Sequence, residues 1–395
     1  MRLNPPIALA ALLSAALAWA CSDDGDEILQ ADEQEQLSTR TVLVYMVASN
    51  SLGSNDFDSD DIAEMEDAMS CYTDGDCRLL LYHVNYDSGP MLTELRSDGL
   101  GGCAVDTLVI YDTTTQASLT TDRMSQVIAD AAELAPAYDY GLILWSHATG
   151  WARSLTKSTA TIRDFGQDYG ATMQIDSLAY AIPDGMFSFI YTDACYMGAI
   201  EVAYQLRDKT RYFIGSPTEI PAFGMPYDQN IPCFFQAEPD LEQACENTYT
   251  FYRDLSDYEG LSASAIKYYR SITIALVDCS TLDDLAATCH SIHATARELS
   301  STDSLQHYHI SYPHFYYDFK QYTDSISSDS SLTDTFHSLM ESAVPYKACT
   351  STLFNSLTID TAKFSGLSTY VMGTGSDTNE EYYMTLDWYN DVIKQ

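Results

Sequence analysis

Met186-Phe187-Ser188-Phe189-Ile190-Tyr191-Thr192-Asp193-Ala194-Cys195 is an apolar, β-rich run that stops at a reactive side chain, and Gly141-Leu142-Ile143-Leu144-Trp145-Ser146-His147 is a second run of the same kind. Each has the length and composition of a buried strand. Open α/β sheets place their sites at the carboxyl ends of the strands, where loops and helix N-termini converge. The two runs predict a sheet edge on which Cys195 and His147 meet.

Strand and helix signals alternate outward from this pair, as in a mainly parallel sheet covered on both faces. Residues 41–48 are a nearly continuous β-rich strand, and Ile62, Met65 and Met69 then share a helical face. The preceding string Asp56, Asp58, Asp60 lacks the glycine a calcium loop needs at its sixth position, where Asp61 stands, and reads as a helix start. A strand is predicted over 78–86, an irregular hairpin over 91–112, a helix capped by Thr121 or Asp122, a helix over 198–206 and a strand over 211–216. Beyond Tyr227 come a helix over 241–255, a strand over 271–277, a helix over 282–299 and a Tyr- and Ser-rich stretch over 303–333. The division is a catalytic α/β domain at 41–230 and a C-terminal α/β subdomain at 231–395 packed on the same sheet.

Residues 1–20 carry Arg2 and an uncharged Ala/Leu-rich run, the pattern of a secretory signal peptide. Leu17-Ala18-Trp19-Ala20-Cys21 resembles a bacterial lipobox, which makes Cys21 a lipidation site and the chain an anchored lipoprotein; simple secretion is the plainer alternative. Seven of the fourteen residues from Ser22 to Glu35 are acidic, so 21–40 is a tether that cannot collapse onto a core. The expected location is the outer membrane or cell surface of a Gram-negative bacterium, with a periplasmic-facing anchor as the variant. A formal charge of −38 excludes nucleic acid as a partner and attracts cationic peptides. Ten cysteines in an exported chain permit disulfides, with Cys71–Cys77 the nearest local pair; buried thiols are the alternative.

A cysteine is a useful nucleophile only as thiolate, which needs a nearby base and, at best, a helix N-terminus. A histidine and a cysteine 48 residues apart are, by themselves, more simply a core histidine and a buried thiol. The context changes this. Trp145-Ser146-His147-Ala148-Thr149-Gly150-Trp151, Asp193-Ala194-Cys195-Tyr196-Met197-Gly198, Gly215-Ser216-Pro217-Thr218-Glu219 and Gly224-Met225-Pro226-Tyr227 together resemble the clostripain-like cysteine peptidases. The opening strand at 41–50 and Phe364-Ser365-Gly366-Leu367-Ser368 extend the resemblance over roughly 41–372.

The resemblance implies a caspase-like three-layer α/β/α sandwich and peptide-bond cleavage by Cys195 and His147 through a thioester. It implies an oxyanion site made by the backbone N–H groups of Cys195 and Ala148, although the family has glycine at the latter position. It implies that Asp193 forms an acidic pocket for Arg or Lys; its place two residues before Cys195 sends both side chains to one side of a strand. An aspartate capping the next helix is the alternative. Glu219 and Asp228 are further pocket or rim candidates. Family members are often activated by self-cleavage after a basic residue, and Arg153, Lys157 and Arg163 in the polar segment 152–171 are the candidate cut sites; an ordinary solvated loop is the alternative.

No GxSxG, HExxH, CxxC or phosphate loop occurs. Cys289, His290 and His293, or His307, His309 and His314, lack a fourth ligand at zinc spacing. No cofactor or metal is expected, and a calcium requirement is not derivable. Expected partners are peptide or protein substrates and the membrane that holds Cys21. Two rivals share the scaffold: a catalytically impaired peptide-binding or adhesive lipoprotein, suggested by Ala148, and a transpeptidase.

Overall fold

The first strand, β1 (Ser38–Val47), is apolar on both faces because both are covered. Leu43, Tyr45 and Val47 enter one core, whereas the alternate residues Val42, Val44 and Met46 enter the other. The computed structural model describes residues 37–113, 117–153, 164–256, 260–375 and 377–395. The remaining strands of the sheet are β2 (Cys77–Val84), β3 (Met91–Ser97), β4 (Cys103–Ile110), β5 (Ala137–Trp145), β6 (Phe187–Asp193), β7 (Thr210–Gly215), β8 (Thr273–Asp278) and β9 (Tyr346–Cys349). Their order is β9-β8-β7-β6-β5-β1-β2-β3-β4. The five central strands, β7 to β2, run parallel; β3, β4, β8 and β9 are antiparallel additions at the edges.

Helices α1 (Phe57–Cys71), α5 (Tyr227–Phe234) and α6 (Leu241–Arg253) cover one face. Helices α2 (Thr121–Leu134), α3 (Ile175–Ala181), α4 (Ile200–Gln205), α8 (Leu282–Ala294), α9 (Phe319–Ile326) and α10 (Ser330–Ala343) cover the other. A short helix, α7 (Ala263–Tyr269), precedes β8. The result is a three-layer α/β/α sandwich. From β1 the chain crosses to β2 through α1 on one face, and from β5 it crosses to β6 through α3 on the other. The order therefore reverses between β1 and β5, and the loops at their carboxyl ends part to leave a crevice.

Residues 37–395 form one compact unit, in which β8 and β9 from the C-terminal part extend the same sheet. Three local differences from the sequence reading have plain causes. The irregular hairpin at 91–112 is a regular antiparallel pair, its irregularity confined to a register shift between Leu92 and Thr93. The helix expected from Gly198 begins at Ile200 because Ala199 is extended and the Gly198 carbonyl accepts from Ser368 N at 3.0 Å instead of from the next turn. Cys71 and Cys77 are free thiols, as are all nine described cysteines: Cys71 Sγ lies by Ser70 Oγ, and Cys77 Sγ by Phe235 O.

Candidate active site

Strands β5 and β6 are parallel neighbours with Trp145 opposite Asp193. Each chain continues two residues past this pair, to His147 and to Cys195, both half-buried. The two side chains line one cleft of about 340 Å³ together with Ala148, Glu219 and Ile220. Matched register and parallel direction bring together residues that are 48 apart in sequence. Ile220 N–H points at Cys195 Sγ, 3.4 Å away, and a donor there favours the thiolate. The helix N-terminus expected beside the cysteine is absent, since α4 starts five residues later. Ser51 Oγ lies 2.8 Å from His147 Nε2.

The turn after the nucleophile candidate is strained and braced. Tyr196 has φ +60°, a value uncommon outside glycine. Its N–H donates to Thr218 O at 2.9 Å, and a Cβ on Gly198 would stand 2.5 Å from Pro217 N, so that position must be glycine. Tyr316 stacks on Tyr196 with ring centroids 5.1 Å apart and donates its hydroxyl to Thr149 O. It thereby ties the Cys195 loop to the His147 loop. Of the tyrosines after His307, Tyr308, Tyr316 and Tyr317 are buried and pack, whereas Tyr312 is exposed.

Ala148 occupies ordinary backbone space. Among the described residues, the non-glycine positions with positive φ are Asp56, Tyr169, Tyr196, Phe354 and Asn355. Ala148 pairs with Phe165 in an antiparallel bridge whose hydrogen bonds come from its neighbours, Thr149 N to Asp164 O and Gly166 N to His147 O. In that arrangement the residue between the bonds turns its own N–H to the opposite side. An alanine there meets no conformational penalty that a glycine would avoid.

Asp193 is buried in the cleft wall, its Oδ2 accepting from Met225 N at 3.0 Å and Tyr227 Oη at 3.2 Å. Burial raises its carboxyl to about 6, against the pull of those two donors. Asp61 from α1 lies beside it, also buried, with Trp145 Nε1 donating to its Oδ2 at 2.6 Å. Burial and the neighbouring Asp193 charge raise Asp61 as well. A Cβ on Gly224, whose φ is +65°, would stand 2.7 Å from Asp61 Oδ2 and 2.8 Å from Asp193 Oδ2. Glu64 accepts from Tyr227 N at 2.9 Å and is raised, chiefly by burial, to about 7. Of these three carboxylates Asp193 lines the cleft, with Asp61 and Glu64 behind it.

Glu219 lines the cleft, whereas Asp228 is exposed in the first turn of α5 and is not part of the cleft lining. Arg153 is half-buried, its guanidinium 5.9 Å from the Tyr382 ring centroid. Lys157, Arg163 and Cys21 lie outside the described residues. Among the described residues, no three His, Cys, Asp or Glu side chains assemble as a metal-holding set. Burial pushes the Cys279 and Cys349 thiols up to about 12, leaving them unreactive.

Sequence reasoning missed Asp61, Ser51 and Tyr316. Asp61 left a readable signal: Asp58, Asp61, Met65, Ala68 and Met69 form the buried stripe of α1, and a carboxylate on an apolar stripe is seldom idle. Ser51 and Tyr316 left none, because their partners are distant in the chain.

The clostripain family model of the C11 peptidases matches residues 44–394. Three solved structures share the fold over nearly their whole length. A secreted C11 cysteine protease from Bacteroides thetaiotaomicron, bound to an irreversible peptide inhibitor, is 32% identical, with a TM-score of 0.76 over 90% of this chain and 99% of that one. An inactive zymogen C11 protease from Parabacteroides distasonis is 30% identical, with a TM-score of 0.76 over 91% and 99%. A second secreted C11 cysteine protease from B. thetaiotaomicron is 25% identical, with a TM-score of 0.77 over 90% and 99%. No curated protein matches the chain significantly. Cleft, sheet and family model agree over the same residues, and the chain belongs to the clostripain family of cysteine peptidases.

Proposed function

We propose that the protein is an exported endopeptidase that cleaves after Arg or Lys, with Cys195 as nucleophile, His147 as its base and Asp193 as the selector of the basic side chain. The observation that carries this reading is the register of β5 and β6, which sets His147 and Cys195 at matching positions on one cleft. In the proposed mechanism the proton on Cys195 Sγ passes to His147, and the thiolate adds to the scissile carbonyl. The backbone N–H groups of Cys195 and Ala148 receive the developing oxyanion. His147 then protonates the leaving amine, and water cleaves the thioester. Asp193 in the cleft wall, with Asp61 behind it, supports a basic residue at the cleaved position, since a buried cation needs carboxylate partners.

Export and anchoring rest on residues 1–20 and on Cys21, and two of the similar structures are described as secreted proteases. Activation by cutting after Arg153, Lys157 or Arg163 is proposed alongside, one similar structure being described as an inactive zymogen. The ordinary φ of Ala148 supports the active reading over the catalytically impaired one. The test is an irreversible arginyl or lysyl ketone probe with peptide mapping. Wild type is expected to be labelled at Cys195, and His147→Ala to be labelled far more slowly. An unlabelled wild type, or labelling at another residue, would overturn the proposal.

A further inference from the structure

The pairing of Cys195 with His147 leaves one close contact of the histidine unused, that of its Nε2 with Ser51 Oγ at 2.8 Å. We propose that Ser51 is a positioning residue for catalysis: its hydroxyl oxygen accepts the Nε2–H of His147 and so presents Nδ1 to the thiol. The inference rests on the Cys195/His147 reading.

Ser51 follows β1, and His147 follows the adjacent strand β5, where Met46 pairs with Trp145. Both therefore border the crevice at which the strand order reverses. An exposed serine held only by its own rotamer would contribute little, but this one sits in a built frame. The Asn50 amide donates to Val47 O at 2.9 Å and to Gln167 O at 2.8 Å, and its Oδ1 accepts from Leu52 N at 2.8 Å. Asn55 Nδ2 donates to Ser51 O at 2.6 Å. Ser146, which precedes His147, donates to the same Val47 carbonyl at 2.8 Å. The backbone on either side of the contact is thus fixed to a common set of atoms, and the distance follows from that frame.

Only one polarity of the contact supports chemistry. If Ser51 donated to Nε2, the neutral ring would carry its proton on Nδ1, the one nitrogen left for the thiol, leaving no base there. With Nε2–H given to Oγ, the Nδ1 lone pair takes the Sγ proton: the S–H bond breaks, an N–H bond forms, and the imidazolium keeps its acceptor at Nε2. The hydroxyl orients the ring as a carboxylate does in a triad, without adding charge. Cys195, Glu219, Asp193, Tyr196, Tyr268 and Tyr269 are the other titratable groups of the cleft, and all of them remain in Ser51→Ala.

The experiment compares the full chain with its Ser51→Ala and Ser51→Thr variants on an arginyl anilide peptide from pH 5 to 9, with melting temperatures measured alongside. Ser51→Ala is expected to lower kcat about tenfold with little change in KM, the effect of losing one charge-assisted hydrogen bond near water. Loss of the acceptor weakens the imidazolium, so the thiolate forms at higher pH. The acid limb of kcat/KM should move up by roughly half to one unit and the alkaline limb down, and Ser51→Thr should recover rate and limbs. Wild-type kcat and limbs in Ser51→Ala would overturn the proposal, and so would a slower enzyme with unmoved limbs. Activity retained by His147→Ala would instead remove the dyad reading, a separate outcome.

Discussion

Asp193→Asn keeps the shape of the pocket wall and removes its charge, which makes it the sharpest probe of specificity. The buried carboxylate of Asp193 accepts from Met225 N and Tyr227 Oη, and an amide oxygen can keep either bond. What disappears is the counter-charge for a buried substrate cation, a loss on the order of 2–5 kcal/mol. The lower end applies here. Burial and, after it, the Asp193 charge raise Asp61, so once that charge is gone it ionises more readily and replaces part of it. At about 2–3 kcal/mol, kcat/KM for arginyl substrates should fall roughly 30- to 150-fold. A citrulline substrate of the same shape should change little, and Asp61→Asn/Asp193→Asn should lose the arginine preference altogether. The Asp193 carboxylate also predicts a pH effect. With Asp193 raised to about 6, the free pocket loses charge as pH falls through 6, and affinity for a cation falls with it. The arginine-to-citrulline ratio of kcat/KM cancels the titration of Cys195 and His147, so it isolates this effect. A ratio that is flat from pH 7 to 5, together with unchanged arginine preference in Asp193→Asn, would refute the reasoning.

Gly224→Ala should raise KM for arginyl substrates at least tenfold, because its Cβ would press on Asp61 and Asp193 from a backbone at φ +65°; an unchanged KM in steady-state assays would contradict this geometry. Glu201 is fully buried between the Cys195 loop and the late strand, where its Oε1 accepts from Thr369 Oγ1 and Tyr370 N. Burial raises it from 4.5 to about 7, so the unfolded chain ionises first as pH rises. Stability is therefore lost between about 4.5 and 7 and is flat above, by up to about 3 kcal/mol from this group. Glu201→Gln should flatten the fall of melting temperature over that range, and an undiminished slope would count against the assignment.

The sequence alone determined the class of fold and named Cys195 and His147 as the candidate pair, because both rest on local signals. Residues 41–48, 141–146 and 186–192 are apolar enough to be central strands wherever they pair, and each of the last two ends near a reactive side chain. The motifs around His147 and Cys195 carried the family for the same reason: they are contiguous runs. Strand alternation put Asp193 on the same side as Cys195, and both line one cleft. Asp61 left only the weak signal of an acid on a helix stripe, and Asp228, a pocket or rim candidate, faces solvent.

Tertiary structure decided the rest, since it depends on which strands become neighbours. The order β5-β1 at the reversal of the sheet sets Ser51 against His147, and the order β6-β5 sets Cys195 across from it. Tyr316, 121 residues beyond Cys195, braces both loops only because its segment folds back over them. Helix position decided that α4 begins too late to favour the thiolate and that Ile220 N–H stands there instead. Periodicity marks which side chains are buried; only the packed sheet says against what.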